Sequence, residues 1–297
     1  MTINLILDAQ FGSTGKGLFA SYLAARHNPD VIAYAPSPNA GHTFYHNGVD
    51  IVHKMLPSGV VSQSLKTVVL GPGSLIDLDR LMIEMTQLAD YGLRLPRILI
   101  HENAAIVQQR HRDAESKGDG APGSTRQGTG AAQAERIWRR DGDITAKQCV
   151  WHEIFAGPIW LVKTPEMQRV YFEAERLQVE SAQGYSLSVY HGDYPHCTCR
   201  DVTTASILSD TGVPFARQVN VYGTFRTYPI RVANRGGRSS GPTYPDSEEI
   251  TFESIGQRQE LTTVTKLPRR IFTWSQQQAI EACAQNRIDS AFLNFSQ

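Results

Sequence analysis

A glycine-rich segment near the start of the chain has the residue types that bind phosphate. The segment "LILDAQFGSTGKGLFASYLA", residues 5 to 24, predicts a short apolar strand, a turn and a helix that opens near Lys16. Free backbone N–H groups and the helix dipole converge where such a turn leads into a helix, so the segment predicts an anion site. On one side of that helix we expect four apolar side chains: Leu18, Phe19, Tyr22 and Leu23.

The spacing of this segment differs from that of a Walker A loop. Lys16 lies between Gly15 and Gly17, and Leu18 stands where that loop has a magnesium-binding hydroxyl. The sequence therefore favours phosphate binding by a P-loop-like turn and argues against a generic P-loop kinase.

Three other clusters could do chemistry, and none is decisive alone. His42 lies in "NAGHT" among small residues, although a lone loop histidine is more often a surface residue. The histidines and cysteines of "YHGDYPHCTCR" match no usual zinc spacing, so we expect a turn beside a buried strand there. The cations of "KLPRR", residues 266 to 270, suit carboxylate or phosphate recognition.

Strands that alternate with helices must position these clusters. Apolar runs predict strands at 31–35, 68–70 and "RILIHEN", and Leu78 begins a helix that ends before Gly92. We also expect a helix over "RVYFEAERLQVESAQG", ended by Gly184. The pattern predicts one large α/β domain, residues 1–297, around a mainly parallel sheet. Residues 116–131 and 234–249 are polar, glycine-rich loops of the functional-lid or disordered kind.

Composition limits the classes of partner. The chain of 297 residues has 29 basic and 29 acidic side chains, so no global field attracts nucleic acid or an anionic membrane. No apolar run approaches the length of a membrane span, and the first residues do not form a signal peptide. Four scattered cysteines predict no disulfide framework. We expect a cytoplasmic protein.

The order and spacing of seven blocks resemble the adenylosuccinate synthetase family. The family's Q-W-G-D-E-G-K-G loop matches residues 10–17, its N-A-G-H-T is present unchanged at 39–43, and its H-x-x-P-S-G appears as "HKMLPSG". Its G-T-T-G-R-G-I-G-P loop is similar to residues 123–130, with Arg139 following at the family's interval. Matches to "AQGYSLSVYHGDYPHCT", "YPIRVANRGG" and "TTVTKLPRR" extend the resemblance over nearly the whole chain.

The resemblance implies a ligase reaction and a homodimer. Family members transfer a phosphoryl group from a nucleoside triphosphate to the 6-oxo group of a purine nucleotide, with Mg²⁺, and L-aspartate then displaces the phosphate. It implies catalysis by three residues: Ser13, His42 and Lys16. It assigns the donor phosphates to Gly12, Thr14, Gly15, Lys16, Gly17, Gly41, His42 and Thr43. It assigns the acceptor nucleotide to Ser13, Asn39, Ser124, Thr125, Gln183, Thr198, Val232 and, from the other subunit, Arg139.

The same comparison assigns the remaining sites. It places aspartate at Thr263, Val264, Thr265 and Arg269, the donor base at Asn294 and Ser296, and magnesium at Ser13 and Gly41. His42 would donate a proton during phosphoryl transfer, as a general acid.

Three departures from the family pattern change the expected substrates. Ser13 replaces the aspartate that takes the N1 proton of the purine, which leaves room and an acceptor for a 2-amino group. Leu267 replaces an arginine near the ribose, and an apolar side chain tolerates a missing 2′-hydroxyl. Leu293 to Ser296 replace the T-K-L-D run that recognises the donor base, so donor selection should be loose between ATP and dATP.

These departures favour dGMP as the acceptor. They resemble the bacteriophage branch of the family, the 2-aminodeoxyadenylosuccinate synthetases, which implies a location in the host cytoplasm. An ordinary adenylosuccinate synthetase acting on IMP is the first alternative. A non-catalytic purine nucleotide-binding protein is the second, and retention of His42, Lys16 and Arg269 argues against it.

Overall fold

A computed structural model of the chain describes residues 2–117, 123–139, 142–149, 158–215, 218–262 and 266–295. Its strands are β1 Ile3–Asp8, β2 Val31–Tyr34, β3 His42–His46, β4 Val49–His53, β5 Thr67–Leu70, β6 Leu75–Ile76, β7 Arg97–His101, β8 Ala105–Ile106, β9 Ile159–Val162, β10 Leu177–Gly184, β11 Val219–Arg226, β12 Ile230–Arg231, β13 Glu249–Ile250, β14 Arg270–Phe272 and β15 Ser290–Asn294. Its helices are α1 Lys16–His27, α2 Leu78–Asp90, α3 Gln109–Lys117, α4 Thr129–Trp138, α5 Ala146–Cys149, α6 Thr164–Glu173, α7 Thr204–Thr211 and α8 Gln276–Asn286.

The central sheet has eight strands in the order β15-β11-β1-β10-β2-β5-β7-β9. Every neighbouring pair in it is parallel, which confirms the predicted α/β class. β1 and β2 are consecutive along the chain, but β10 lies between them. The carboxyl ends of β1, β10 and β11 therefore meet at one edge, where ligands bind in open α/β sheets.

Apolar side chains cover both faces of the sheet. Alternate strand residues such as Leu5 and Val69 pack on one face against α6, α7 and α8. Their neighbours, such as Ile32 and Val68, pack on the other face against α2 and the β3–β4 hairpin. Burial on both faces explains why these strands are continuous apolar runs in the sequence.

Smaller sheets surround this core. The strands β12, β14 and β13 form an antiparallel sheet, and β3 pairs with β4 as a hairpin. Short parallel strands β6 and β8 form a further pair. Among the described residues, no helix is both long enough and apolar enough to cross a membrane.

The first two predicted helices form where expected, with one difference in packing. α1 begins at Lys16, and Gly92 follows α2 with a φ of +70°. Phe19 is buried, but Leu18 and Tyr22 are 46% and 53% exposed. The predicted apolar face of α1 is therefore only half buried, because the covered side of the helix combines Phe19 and Leu23 with small residues such as Ala20 and Ala24.

The helix expected over residues 169–184 is also wrong. α6 ends at Glu173, Ala174 is extended, and β10 begins at Leu177. β10 is central, between β1 and β2, so strand pairing on both sides outweighs its local helix propensity. Its polar Gln178 and Glu180 are tolerated inside because both are hydrogen-bonded.

Candidate active site

A buried carboxylate shapes the glycine loop between β1 and α1. Asp8 accepts hydrogen bonds from the backbone N–H groups of Gln10, Gly12 and Thr14 at 3.0, 3.2 and 3.2 Å, and from the Thr14 hydroxyl at 2.7 Å. Burial raises the pKa of Asp8, and these donors and Lys16 oppose that shift. The loop is thus held from inside, which leaves the N–H groups around Gly15 free of this network.

Three residues of this loop have positive φ. Gly12, Ser13 and Gly15 have φ values of +91°, +59° and +79°. A Cβ at Gly15 would also lie 2.5 Å from the Asn294 side chain. Glycine is therefore required at position 15 by conformation and by space.

Lys16 and His42 are in direct contact beside this loop. Lys16 Nζ donates to the Ser181 carbonyl at 2.5 Å and lies 2.9 Å from His42 Nδ1. An ammonium has donors only, so Nδ1 accepts and the ring carries its proton on Nε2. Burial lowers the pKa of Lys16 to about 8, although Glu180 and Asp8 oppose the shift.

His42 is consequently a neutral donor in this structure. Burial and then the Lys16 charge hold its pKa well below the usual range of histidine. Its Nε2 is buried and has no hydrogen-bond partner among the described residues. The ring can therefore donate a hydrogen bond from Nε2 to an anionic oxygen, as a neutral imidazole rather than an imidazolium.

Two further buried carboxylates hold the "HKMLPSG" loop against this site. Glu180 accepts from the N–H groups of Ser58 and Gly59, both at 2.8 Å. Glu84 accepts from Lys54, Met55 and Leu56 at 2.8 to 2.9 Å. Sequence analysis missed Asp8, Glu84 and Glu180 because they bind backbone and not ligand. For Glu180, the signal available was an acidic residue within the buried strand segment "QVESA".

Two neighbouring cavities collect most of the residues expected to bind ligand. The first, about 400 Å³, is lined by all the expected donor-phosphate residues except Thr14, together with Ser13, Leu267 and Arg269. The second, about 450 Å³, is lined by Thr198 and α4 residues. Their shared lining is formed by Phe11, Asn39, Gly123, Ser124, Thr125, Gln183, Leu187 and Val232.

Several expected residues lie outside these cavities. Thr14 is fully buried and its hydroxyl contacts Asp8 and Thr224. The Asn294 amide nitrogen donates to the Thr14 carbonyl at 2.5 Å, so it contacts the loop backbone. Arg139 is exposed at the end of α4. Thr263, Val264, Thr265 and Ser296 lie outside the described residues.

The wall shared by the cavities is rigid on the side of β10. Gln183 has a φ of +72°, and its Nε2 donates to Asn39 Oδ1 at 2.7 Å. Asn39 also accepts from the Ser37 hydroxyl. These bonds hold the two amides expected to bind the acceptor nucleotide at a fixed separation.

A carboxylate organises the opposite wall of the second cavity. Glu115 of α3 accepts from the N–H groups of Gly128, Gly130 and Ala131 at 2.9, 2.7 and 3.3 Å. These groups form the N-terminus of α4, where a negative charge is stabilising. Glu115 therefore fixes the start of α4, another role that sequence analysis missed.

A third group of side chains closes the first cavity near β15. Arg226 is paired with Glu260, and its guanidinium carbon lies 4.0 Å above the centre of the Phe295 ring. Arg226, Glu260 and Phe295 all line the cavity. Phe295, which sequence analysis did not select, thus presents an aromatic ring beside the glycine loop.

The protein atoms near the glycine loop fit a magnesium ion bound mainly through phosphates. No cluster of three or more histidine, cysteine or acidic side chains suited to a metal occurs in the described ranges. The nearby Asp8 carboxylate already accepts from four donors. Ser13 and Gly41 add neutral oxygens at the cavity, and Mg²⁺ often binds to few protein ligands together with substrate phosphates.

A family model and several relatives match this chain. The model described as "Adenylosuccinate synthetase" matches residues 5–159 and 157–295. The chain therefore belongs to the adenylosuccinate synthetase family, and it is a ligase. An adenylosuccinate synthetase of Methanococcus aeolicus is 30% identical over 96% of this chain and 82% of its own length.

Phage relatives are more similar. The N6-succino-2-amino-2′-deoxyadenylate synthase of cyanophage S-2L is 53% identical over 99% of this chain and 82% of its own length. The solved structure of that cyanophage enzyme, bound to dGMP and dATP as an energy donor, has a TM-score of 0.95 at 52% identity, covering 99% of this chain and 84% of its own. Fully ligated adenylosuccinate synthetase of Plasmodium falciparum, at 21% identity, a TM-score of 0.78 and coverage of 98% and 76%, shows the shared fold.

Proposed function

We propose that this protein joins L-aspartate to dGMP and hydrolyses ATP or dATP. A 6-phosphoryl intermediate leads to 2-amino-2′-deoxy-N6-succinyladenylate, phosphate and the nucleoside diphosphate, for diaminopurine DNA synthesis. The observation that carries this proposal is the presence of Ser13, a hydroxyl and not a carboxylate, in the first cavity beside the shared wall. The similarity to phage synthases of that product supports it.

The acceptor would lie across the shared wall. Ser13 leaves space for the guanine 2-amino group and can accept its hydrogen bond. Leu267 lines the same cavity and provides an apolar surface for a sugar without a 2′-hydroxyl. Asn39, Ser124, Thr125, Gln183, Thr198 and Val232 would hold the rest of the nucleotide.

The donor phosphates would lie against the glycine loop. Gly12, Gly15 and Gly17 permit the close approach of backbone, while Lys16 and His42 donate to the transferred group. The buried Thr14 would support the loop through its contact with Asp8, and Gly41 and Thr43 line the cavity beside the loop. Mg²⁺, held by phosphates with Ser13 and Gly41, would neutralise the charge on those phosphates.

The aspartate would bind at the loop that contains Thr263, Val264, Thr265 and Arg269. Arg269 lines the first cavity and supplies a cation for a carboxylate. Asn294 and Ser296 would contribute to the donor-base region, where loose selection is expected. We also propose that residues 1–297 form a single domain.

The first experiment compares acceptors. Phosphate release would be measured with aspartate and ATP, then dATP, using dGMP, GMP and IMP in turn. We expect dGMP to have the highest kcat/KM. If IMP is used best, the protein is an ordinary adenylosuccinate synthetase. If no acceptor leads to phosphate release although nucleotides bind, the chain is a non-catalytic binding protein.

The second experiment tests a homodimer in which Arg139 acts across the interface. Arg139 is exposed and lines neither cavity of its own subunit, which supports a role in the partner's site. Mixing inactive Arg139→Ala protein with inactive His42→Ala protein should restore activity in hybrid sites. Zero activity after demonstrated subunit exchange contradicts the shared site.

A further inference from the structure

A tight hairpin follows Val232, at the edge of the first cavity. The N–H of Arg235 donates to the Arg238 carbonyl at 3.0 Å, and the N–H of Arg238 donates back at 3.1 Å. Gly236 and Gly237 between them have φ values of +58° and +75°. This is a two-residue turn that requires positive φ at both central positions, and it projects Arg235 from a defined backbone.

The base of this hairpin is firmly held. The N–H of Ser240 donates to Asn234 Oδ1 at 2.9 Å, and the Ser240 hydroxyl donates to the Val232 carbonyl at 2.7 Å. The buried Arg231 guanidinium donates to the Ser240 carbonyl from Nε at 3.0 Å. Only the turn itself extends beyond these bonds, so the backbone position of Arg235 is fixed.

Arg235 is the arginine of the first cavity whose charge has no protein partner. Its side chain lines the cavity, and no hydrogen bond or ion pair joins its guanidinium to another residue in the described part of the chain. Arg226 in the same cavity is neutralised by Glu260. Arg269 Nε donates to the neutral Leu261 carbonyl at 3.3 Å. The cavity therefore holds two arginines, Arg235 and Arg269, available to an anionic ligand.

We propose that Arg235 binds one of the two carboxylates of L-aspartate while Arg269 binds the other. This inference rests on the function proposed above. Ala233, Leu267 and Arg269 line a further cavity together, so the start of the hairpin runs beside the aspartate loop. A dicarboxylate needs two cations, and a guanidinium forms paired hydrogen bonds with a carboxylate.

The position of the hairpin favours aspartate over the nucleotide phosphates. The donor phosphates are expected at the N-terminus of α1, next to Lys16, and the acceptor phosphate at Ser124 and Thr125. Arg235 follows Ala233, which lines both the first cavity and the further cavity together with Leu267 and Arg269. The experiment must therefore distinguish binding of Arg235 to an aspartate carboxylate from binding of Arg235 to a nucleotide phosphate.

Steady-state kinetics would test this assignment in the full chain. Aspartate, dGMP and ATP are varied in turn for Arg235→Ala, Arg235→Lys and the control Arg258→Ala, an exposed arginine that lines none of the cavities described. Loss of a charge-assisted bond predicts roughly a tenfold or greater rise in KM for aspartate in Arg235→Ala. We expect kcat and both nucleotide KM values to change less than about twofold, and Arg235→Lys to lie between.

A binding measurement separates this inference from the proposed reaction. Succinate has both carboxylates and no amine, so it can occupy the site without reacting. Its Kd in the presence of dGMP should rise in Arg235→Ala by the same factor as KM for aspartate. An unchanged KM and Kd, or a rise confined to a nucleotide, overturns the role of Arg235. If the parent protein binds succinate but consumes no dGMP, the proposed reaction fails while the Kd comparison still tests Arg235.

Discussion

The glycine-loop wall, residues 8–17 with 42–43, and the aspartate wall, residues 232–241 with 260–262 and 266–269, are built differently. In the first, Asp8 is buried and its oxygens accept hydrogen bonds from the backbone N–H groups of the loop. In the second, Arg235 is exposed, and the half-buried guanidinium of Arg269 donates to the neutral Leu261 carbonyl. The first wall is held by a buried carboxylate, while the second holds two cavity-lining guanidinium groups that no carboxylate hydrogen-bonds within the described part of the chain.

This difference agrees with the function proposed for each wall. Phosphoryl transfer depends on donors that already point at the developing charge, because reorganising them would consume binding energy. Recognition of a small dicarboxylate needs cations that can leave water and pair with it. The glycine-loop wall should therefore tolerate few changes, whereas changes in the aspartate wall should alter KM and leave the fold intact.

The largest effect is expected at His42, in the glycine-loop wall. His42→Asn cannot place a donor at the Nε2 position, so kcat should fall roughly 10²-fold or more with near-normal KM. His42→Gln keeps a neutral N–H near that position and should retain more activity than His42→Asn. Equal losses in the two variants would indicate that a charged imidazolium is required, against the neutral ring described here.

Ser13 should determine the acceptor base. Ser13→Asp restores a carboxylate that crowds the guanine 2-amino group, so kcat/KM for dGMP should fall by about 30-fold, with the preference shifting toward IMP or dIMP. The measurement compares binding and turnover of dGMP and IMP in both proteins. Full retention of dGMP turnover in Ser13→Asp would remove Ser13 as the selector.

Lys16 should give an alkaline limit to activity. Its pKa is lowered to about 8, so the cation is lost as pH rises through that value. At low donor concentration, kcat/KM should be nearly flat below this pH and fall about tenfold per unit above it. Lys16→Arg, which keeps its charge, should lose activity, but its kcat/KM should not fall above this pH. If the same alkaline fall in kcat/KM persists in Lys16→Arg, a group other than Lys16 causes it.

Glu115 holds the start of α4 at the second cavity, where the acceptor is proposed to bind. Glu115→Gln weakens three backbone bonds at the start of α4, so KM for dGMP should rise about fivefold, with KM for the donor unchanged. Asp113→Asn is the matched control, since Asp113 lies exposed on the same helix. A rise in the donor KM instead would show that α4 does not serve the acceptor.

The smallest effect should be donor choice between ATP and dATP. The Asn294 amide nitrogen contacts the Thr14 carbonyl, and Phe295 offers a ring that any base can stack on. The two kcat/KM values should agree within about tenfold. A difference above about 100-fold, near 2.7 kcal/mol, would require a specific contact with the base or sugar.

Sequence reasoning located the ligand-facing residues better than the residues that support them. The glycines, Lys16, His42 and the 39–43 segment form ordered motifs, and the structure brings most of them to one cavity. Glu84 and Glu180 carry no motif, because a residue that binds distant backbone is specified by three-dimensional proximity alone. The exposure of Leu18 and Tyr22 was not predicted either, since the periodicity of apolar residues does not reveal which part of a helix face its neighbours will cover.

The sequence by itself determined the alternation of strands and helices, the glycine-rich turn at residues 10–17 and the serine at position 13. These depend on local spacing and residue type. Tertiary structure alone decided that residues 177–184 form a central strand, that Lys16 sets the tautomer of His42, and that Arg235 and Arg269 line one cavity. The physical reason is that each depends on contacts between segments far apart in the chain, whose free energy exceeds local preference and has no periodic signature.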